Sequence, residues 1–305
     1  MADRSRSALR NWIEYAAAAG IVGTLRYPSR TVAEKIARFY TGLLDFVIPR
    51  LRRIAMRNLE LAMPELPIPE RRRIADGVFN SIARVLVAVA RLPDLTPENI
   101  HEWIVHDGLE NLLEARRQGK GVLIATGHLG NWELSVNAHT LLCGDTMNVV
   151  VRPLDNPKLD EFVRQRRELF GNRTIGKKEF VRSVLRALQS GETAAMLVDQ
   201  NNMLDQGIFV DFFGIPARTG ISFAKIAAHT GAAVVPGFAL WTEAEKRYRL
   251  KFYPALELTG DVAEDTRRVQ AAIERAIREY PDQWLWIHRR WKARPEGQPD
   301  LYKLS

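Results

Sequence analysis

VLIATGHLGNWELSVNAHTLL, residues 122–142, reads as a buried strand, a polar turn and a helix. The five residues VLIAT carry almost no polar atoms, as a strand covered on both faces requires, and from Trp132 the spacing becomes helical. Working outward, MNVVV (147–151), AAMLV (194–198), AVVPGFAL (233–240) and YRLKFY (248–253) have the same strand character. Helical patterns fill 158–170, 179–189, 219–230 and 263–280 between and after them. Strands alternating with helices predict an α/β fold, a largely parallel sheet flanked by helices. Upstream of residue 119 the pattern is helical instead. Val32, Ile36, Phe39, Leu43 and Leu44 recur at three to four, Pro49 interrupts, and Pro69-Glu70 opens a helix carrying Ile74, Phe79, Ile82, Leu86 and Val89. Thr96-Pro97-Glu98 reads as a further N-cap with a first-turn proline and acid. The chain therefore divides into a helical N-terminal region, 1–118, and an α/β body, 119–305, expected to pack as one compact unit. No internal repeat or low-complexity segment interrupts this order.

Composition narrows the function. With 305 residues, 46% hydrophobic and 26% charged, the chain has ample material for a core and is not a disordered one. A lone cysteine, Cys143, excludes an internal disulfide framework and any multi-cysteine zinc site. The net charge of +8 points to an anionic partner: nucleic acid, a membrane surface or a phosphorylated substrate. Residues 1–60 hold 11 of the basic residues against 5 acidic ones, nearly all arginine: Arg4, Arg6, Arg10, Arg26, Arg30, Arg38, Arg50, Arg52, Arg53 and Arg57. Between Arg10 and Arg26 runs NWIEYAAAAGIVGTL, too short to span comfortably and interrupted by Glu14, which also argues against a signal peptide. It reads as an interfacial anchor whose arginines face anionic lipid; the alternative is a solvated basic helix packed on the body.

GHLGNWE (127–133) sits where α/β folds place their active sites, at the carboxyl end of a strand. His128 lies on the loop, Asn131 caps the helix, and Glu133 falls in the first turn, where the helix dipole favours a carboxylate. Across so tight a loop Glu133 can hydrogen-bond one imidazole nitrogen of His128, which leaves the other as a base. There is no G-x-S-x-G elbow, so such a base would act on a substrate hydroxyl. The competing reading is a capped helix start with an incidental histidine. The six histidines include no H-E-x-x-H pair and the chain has no phosphate-binding Walker loop, so no metal or nucleotide cofactor is expected.

HLGNWE resembles the H-x-x-x-x-D/E motif of the glycerolipid acyltransferases. RNLELAMPEL (57–66), VVRPLDNPKLD (150–160), DQN (199–201), FVDFFGIPARTG (209–220), TGAAVVP (230–236) and PDQWLWIHRRWKARPEG (281–297) are similar, in order, to the successive blocks of the lipid A late acyltransferases. The resemblance runs from about Arg52 to Tyr302. It implies a glycerolipid-acyltransferase-like fold and transfer of a fatty acyl chain from acyl carrier protein onto a hydroxyl of a lipid A precursor. The expected location is the cytoplasmic face of a bacterial inner membrane, held peripherally or by a single anchor. It implies His128 and Glu133 as the catalytic pair. Alternatives are a related acyltransferase using another glycolipid or a lysophospholipid, possibly from acyl-CoA, and a non-catalytic peripheral membrane protein.

The remaining blocks supply candidate substrate contacts. Arg152 follows a strand, and Arg164, Arg166 and Arg167 share a helical turn after Asn156-Pro157; an arginine fork suits phosphate, and the family alignment selects Arg167. Asp199 ends a strand and could orient substrate or pair with an arginine. Backbone amides of 127–130, Gly130 among them, are candidate oxyanion donors, with Asn131 beside them. Phe213 lines an acyl chain or belongs to the core. Trp284, Trp286 and Trp291 with Arg289, Arg290 and Lys292 suit a lipid–water boundary. They would also suit single-stranded nucleic acid, but the strand-rich sheet of such binders is not indicated, so no nucleic-acid partner is expected. His288, with no acid adjacent in sequence, reads as structural.

Overall fold

A computed structural model describes residues 7–176, 180–202 and 207–303; Arg4, Arg6 and the expected helix start at Glu179 lie outside them. The first four helices are α1 (Ala8–Arg26), α2 (Arg30–Val47), α3 (Pro49–Ala62) and α4 (Ile68–Arg91). Then follow β1 (Ile104–Asp107), α5 (Leu109–Arg117), β2 (Val122–Thr126), α6 (Trp132–Cys143), β3 (Met147–Val151) and α7 (Pro157–Arg167). The chain continues with β4 (Arg173–Gly176), α8 (Phe180–Gln189), β5 (Thr193–Leu197), β6 (Gly207–Phe212) and β7 (Ile215–Gly220). It closes with α9 (Ser222–Thr230), β8 (Ala233–Thr242), β9 (Arg247–Phe252) and α10 (Val262–Glu279).

Seven strands form one sheet in the order β1-β9-β8-β2-β5-β3-β4. Every neighbouring pair is parallel except β8 with β9. Along β2, Leu123 and Ala125 face a core built on α8, α9, α10 and α3, whereas Val122 and Ile124 face one built on α5 and α6. This alternation, with both faces covered, is why the run reads as apolar throughout. The sheet takes an edge strand, β1, from before residue 119, and α3 and α4 contribute Leu59, Ile74 and Val78 to the same core as the body. The expected helix at Thr96-Pro97-Glu98 is only a turn followed by one 3-10 turn at Ile100–Glu102, because Asn99 Oδ1 captures the Thr96 amide.

Two segments differ from expectation. FVDFFGIPARTG is the second strand of neither sheet face but a separate hairpin, β6 against β7, with Phe212 paired to Ile215. Its two-residue turn needs positive φ at both positions, found at Phe213 (55°) and Gly214 (72°). The helix after it starts at Ser222, not Thr219, because Thr219 is still in the strand. The second difference is the tryptophan segment. Trp284, Trp286, Trp291 and Arg290 are completely or almost completely buried, so this is core and not a lipid boundary. The Trp284 ring packs edge-on against those of Trp286 and Phe212, and Trp291 lies tilted on Phe212. The Arg290 guanidinium donates to Arg218 O, Thr219 Oγ1 and Gln270 Oε1, tying the hairpin to α10. Burial drives its pKa down to about 10.

On α2 most of the large apolar residues point outward, while Ile36 and Tyr40 are half-buried against the core. Phe39, Leu43 and Leu44 are exposed, and so are Phe46, Val47 and Ile48 at its end, while the small residues Ala33, Ala37 and Thr41 face the protein. Leu9, Trp12 and Ile13 of α1 are exposed as well. Glu14 pairs with Arg10 and accepts from the Asn156 amide, which docks α1 on the start of α7. No helix of the described residues is long and apolar enough to cross a membrane.

Candidate active site

β2 and β5 are central neighbours in register, Thr126 beside Leu197, and Val198 N–H donates to Thr126 O just beyond them. Two residues further along each chain stand His128 and Asp199, so the parallel register itself sets them side by side. The His128 Nδ1 lies 2.9 Å from Asp199 Oδ1, and the His128 backbone N–H donates to Asp199 Oδ2 at 2.9 Å. Trp284 Nε1 donates to the same Oδ2 at 2.8 Å. Asp199 is buried at 1% exposure. Burial alone would raise its pKa, but the His128 charge and the three donors more than offset it and hold the carboxyl down at about 2. An ionised acceptor at Nδ1 puts the imidazole proton there and leaves Nε2 with its lone pair outward, 3.4 Å from the Gln200 amide.

Two glycines make the approach possible. A Cβ on Gly127 would stand 3.0 Å from Asp199 Cγ. Gly130 has φ 67°, and a Cβ there would come within 1.9 Å of Ala239 O. That closeness lets Asn131 N–H donate to Ala239 O while Gly130 N–H donates to Gln283 O, which pins the loop between β8 and the tryptophan segment.

The carboxylate that meets His128 is thus that of Asp199, not Glu133. Glu133 instead binds Arg167 through a two-pronged pair, Nε to Oε2 at 2.9 Å and Nη2 to Oε1 at 2.5 Å. It sits in the first turn of α6, where its side chain turns toward the last turn of α7. Burial works against the Arg167 charge, but the Glu133 hydrogen bonds and charge outweigh it, and the net shift is upward. The pair still adjoins the imidazole through Trp132. That ring meets His128 edge-on at 5.1 Å, and its Nε1 donates to Glu133 Oε1 at 3.2 Å. Arg164 points away and is engaged by Glu161 and Glu168.

Other expected residues land elsewhere. The amides of His128 and Gly130 are already committed to protein acceptors, so neither is available as an oxyanion donor. Asn131 is a wholly buried N-cap, its side chain accepting from Leu134 N–H. Phe213 is core: its ring packs on Trp286 and its N–H donates to Glu274 Oε2. Arg152 is about four-fifths exposed, with Asp155 3.9 Å away. Gln200, expected only as a polar group beside Asp199, also approaches His128, and sequence reasoning missed Trp284 as a donor to Asp199. It also missed that His288 Nε2 accepts from Asn201 N–H at 3.1 Å, joining the C-terminal segment to the loop after Asp199. Burial lowers the His288 pKa to about 4, which keeps it neutral.

Beneath α6 a narrow apolar slot runs from the site into the sheet. Its lining includes Trp132, Val136, Val149 and Leu197, with Ile124, Met147 and Phe252 at one end and Glu133 and Arg167 at the other. Each part encloses about 30 Å³. His106, His139 and Cys143, farther along α6 and on β1, bring three donor atoms within 4.8 Å of one another.

The chain belongs to the bacterial lipid A biosynthesis acyltransferase family, whose sequence profile matches residues 2–293. It is 29% identical to the lipid A biosynthesis palmitoleoyltransferase of Escherichia coli, over 84% of this chain and 83% of that one. It is 28% identical to the lauroyltransferase of the same organism over 83% of both chains, and 27% identical to its myristoyltransferase over 96% and 90%. A lipid A biosynthesis acyltransferase of Haemophilus influenzae is 26% identical over 81% of this chain and 77% of its own.

Proposed function

We propose that this member of the lipid A acyltransferase family transfers a fatty acyl chain from acyl carrier protein to a hydroxyl of a lipid A precursor, with the His128–Asp199 pair as its base. The observation that carries this is the imidazole fixed by a buried carboxylate, its ring meeting edge-on that of Trp132, which lines an apolar slot. His128 Nε2 takes the acceptor hydroxyl proton as the oxygen attacks the thioester carbonyl carbon. The C–S bond breaks, and the imidazolium, stabilised by Asp199, returns the proton to the departing sulfur. Gln200, the polar group beside Nε2, supplies a donor near the carbonyl oxygen as it gains charge. No group on the enzyme is acylated, so donor and acceptor bind together.

The slot beneath α6 suits the acyl chain, with the charged Glu133–Arg167 pair at its far end from Phe252. Its lining by Val136, Val149, Leu197 and Met147 is apolar along its length, as an alkyl chain requires. The outward apolar face of α2 and the exposed residues of α1, with the arginines among them, support peripheral attachment at an anionic inner-membrane surface, on its cytoplasmic side.

The test is acyl transfer by purified protein from acyl carrier protein, and separately from acyl-CoA, followed by mass spectrometry of the acceptor. The expected product is heavier by one acyl group and is absent with His128→Ala. A ping-pong rate pattern, or an acylated enzyme, would discard direct transfer.

A further inference from the structure

We infer that the arginine-lined recess between α3 and the C-terminal segment is a phosphate site, which holds a phosphate monoester of the acceptor's sugar headgroup while its hydroxyl meets His128. The inference rests on the acyl-transfer reading above. The recess encloses about 240 Å³ and is lined by Arg50, Arg53, Ile54, Arg57, Arg289 and Tyr302. Its lining holds four arginines and no acidic residue.

The state of these arginines is unlike that of most others in the chain. Arg10, Arg73, Arg164 and Arg268 each have an acid three or four residues away that neutralises them. On α3 itself, Arg52 turns aside to Asp45 and Asp76. Arg50 and Arg53 have no carboxylate partner among the described residues. Arg57 shares one, Glu60, and donates to Leu301 O. Arg289 lies over the Tyr302 ring, and its Nε is buried with no protein acceptor. Arg50, Arg53 and Arg57 lie on one face of α3, so their charges repel one another. The helix start adds to this: Ile48 provides no side-chain cap, and the first turn holds no acid. No acid of the first turn therefore offsets the charge of Arg50 and Arg53. An anion with several oxygens, taken by arginine forks, is what relieves it, and phosphate fits that better than a single carboxylate.

The recess is tied to the catalytic loop. Asn58, on α3, donates to the carbonyls of Trp286 (2.6 Å) and His288 (2.7 Å). His288 in turn accepts from Asn201, two residues after Asp199, and Arg289 follows it directly. A ligand held by Arg289 and α3 is thereby placed at a fixed offset from the His128–Asp199 pair.

The experiment uses the full chain and two acceptors, a phosphorylated acylated glucosamine disaccharide and the same lipid after phosphatase treatment. Arg50→Gln and Arg53→Gln should each raise KM for the phosphorylated acceptor about tenfold, with kcat and the donor KM within twofold. Wild-type protein should show a rise at least as large on the dephosphorylated acceptor, and there the double variant should show no further rise. Equal effects on both acceptors, or an effect on the donor KM, would overturn the assignment. If wild-type protein acylates neither lipid, the acyl-transfer reading fails, and inorganic pyrophosphate still tests the recess. It should raise the melting temperature of wild-type protein and not of Arg50→Gln/Arg53→Gln. No shift in wild type overturns the site. Stabilisation by pyrophosphate with no dependence of KM on acceptor phosphate, or a loss confined to phosphatidylglycerol vesicle binding, would mean a free-anion or membrane contact and would overturn it as well.

Discussion

Asp199→Asn separates the carboxylate pairing seen here from the one the motif implies. Asp199 meets three donors: its Oδ1 faces His128 Nδ1, and its Oδ2 faces both the His128 backbone N–H and Trp284 Nε1. An amide has one oxygen. Placed at the Oδ2 position it keeps two donors and sets its NH2 against Nδ1, which then has to accept. The proton moves to Nε2 and the base is lost. Placed at Oδ1 it preserves the tautomer but sets NH2 against two N–H groups in a site at 1% exposure. The first arrangement leaves fewer donors unpaired and should prevail. Losing the base predicts a fall in kcat of about 10²–10⁴-fold. Replacing charge-assisted bonds by neutral ones predicts about 1.5–3 kcal/mol of lost stability. Steady-state acyl transfer and urea denaturation measure the two effects. Glu133→Gln, measured alongside, keeps the shape of the Arg167 contact and should lower kcat far less. If Asp199→Asn turns over within threefold of wild type while Glu133→Gln is inactive, the working partner of His128 is Glu133 and the pairing argument is wrong.

Arg167→Ala leaves Glu133 half-buried without its cation and should cost about 2 kcal/mol of stability and much activity, whereas Arg164→Ala, on the solvent side, should change little. Equal small losses would show that the inward pair does nothing for the site. Acid should destabilise the protein well above the carboxylate range. Burial holds His139 and His288 at about 4, below the ordinary histidine value, so the unfolded chain binds more protons between about pH 6.5 and 4. Stability should drop across that window by up to ~3 kcal/mol per histidine, and Asp199 adds a further loss between about pH 4 and 2. An unchanged urea midpoint between pH 7 and 4.5 would contradict this. Phe39→Ser with Phe46→Ser should weaken sedimentation with anionic vesicles about tenfold or more without lowering the melting temperature, since both rings already face solvent. Unaltered vesicle binding would remove α2 from the membrane contact.

The α/β body was legible because its central strands are covered on both faces, and a run such as VLIAT has no other comfortable place. The hairpin was not, because its turn is Phe213-Gly214, and phenylalanine gives no warning of positive φ. There the local preference yields to packing: the ring is held by Trp286, with the Arg278 guanidinium 4.5 Å over it. The tryptophans misled for a related reason. Cations beside aromatic rings in sequence suggest a boundary, but Arg290 is buried by acceptors 20 and more residues away, Gln270, Arg218 and Thr219. α2 shows the reverse: its periodicity was plain, yet only tertiary packing reveals that the face of Ala33, Ala37 and Thr41 is turned inward and that of Phe39, Leu43 and Phe46 outward.

The base pair shows where sequence proximity stops being informative. His128 was identifiable from its place at a strand's end, and Glu133, five residues on, is its nearest acid in the motif. Chain order also makes β3 the natural neighbour of β2, in which case the residues after β3, Arg152 first, would flank the histidine. The sheet instead inserts β5 between them. That one crossover brings Asp199, 71 residues away, into register with His128, and it leaves Arg152 exposed on the far side. With the imidazole taken, Glu133 is free for Arg167 at the end of α7, the helix that the same crossover lays beside α6. Strand order therefore decides which acid meets His128 and which holds Arg167, and strand order is a property of packing that no spacing within HLGNWE encodes.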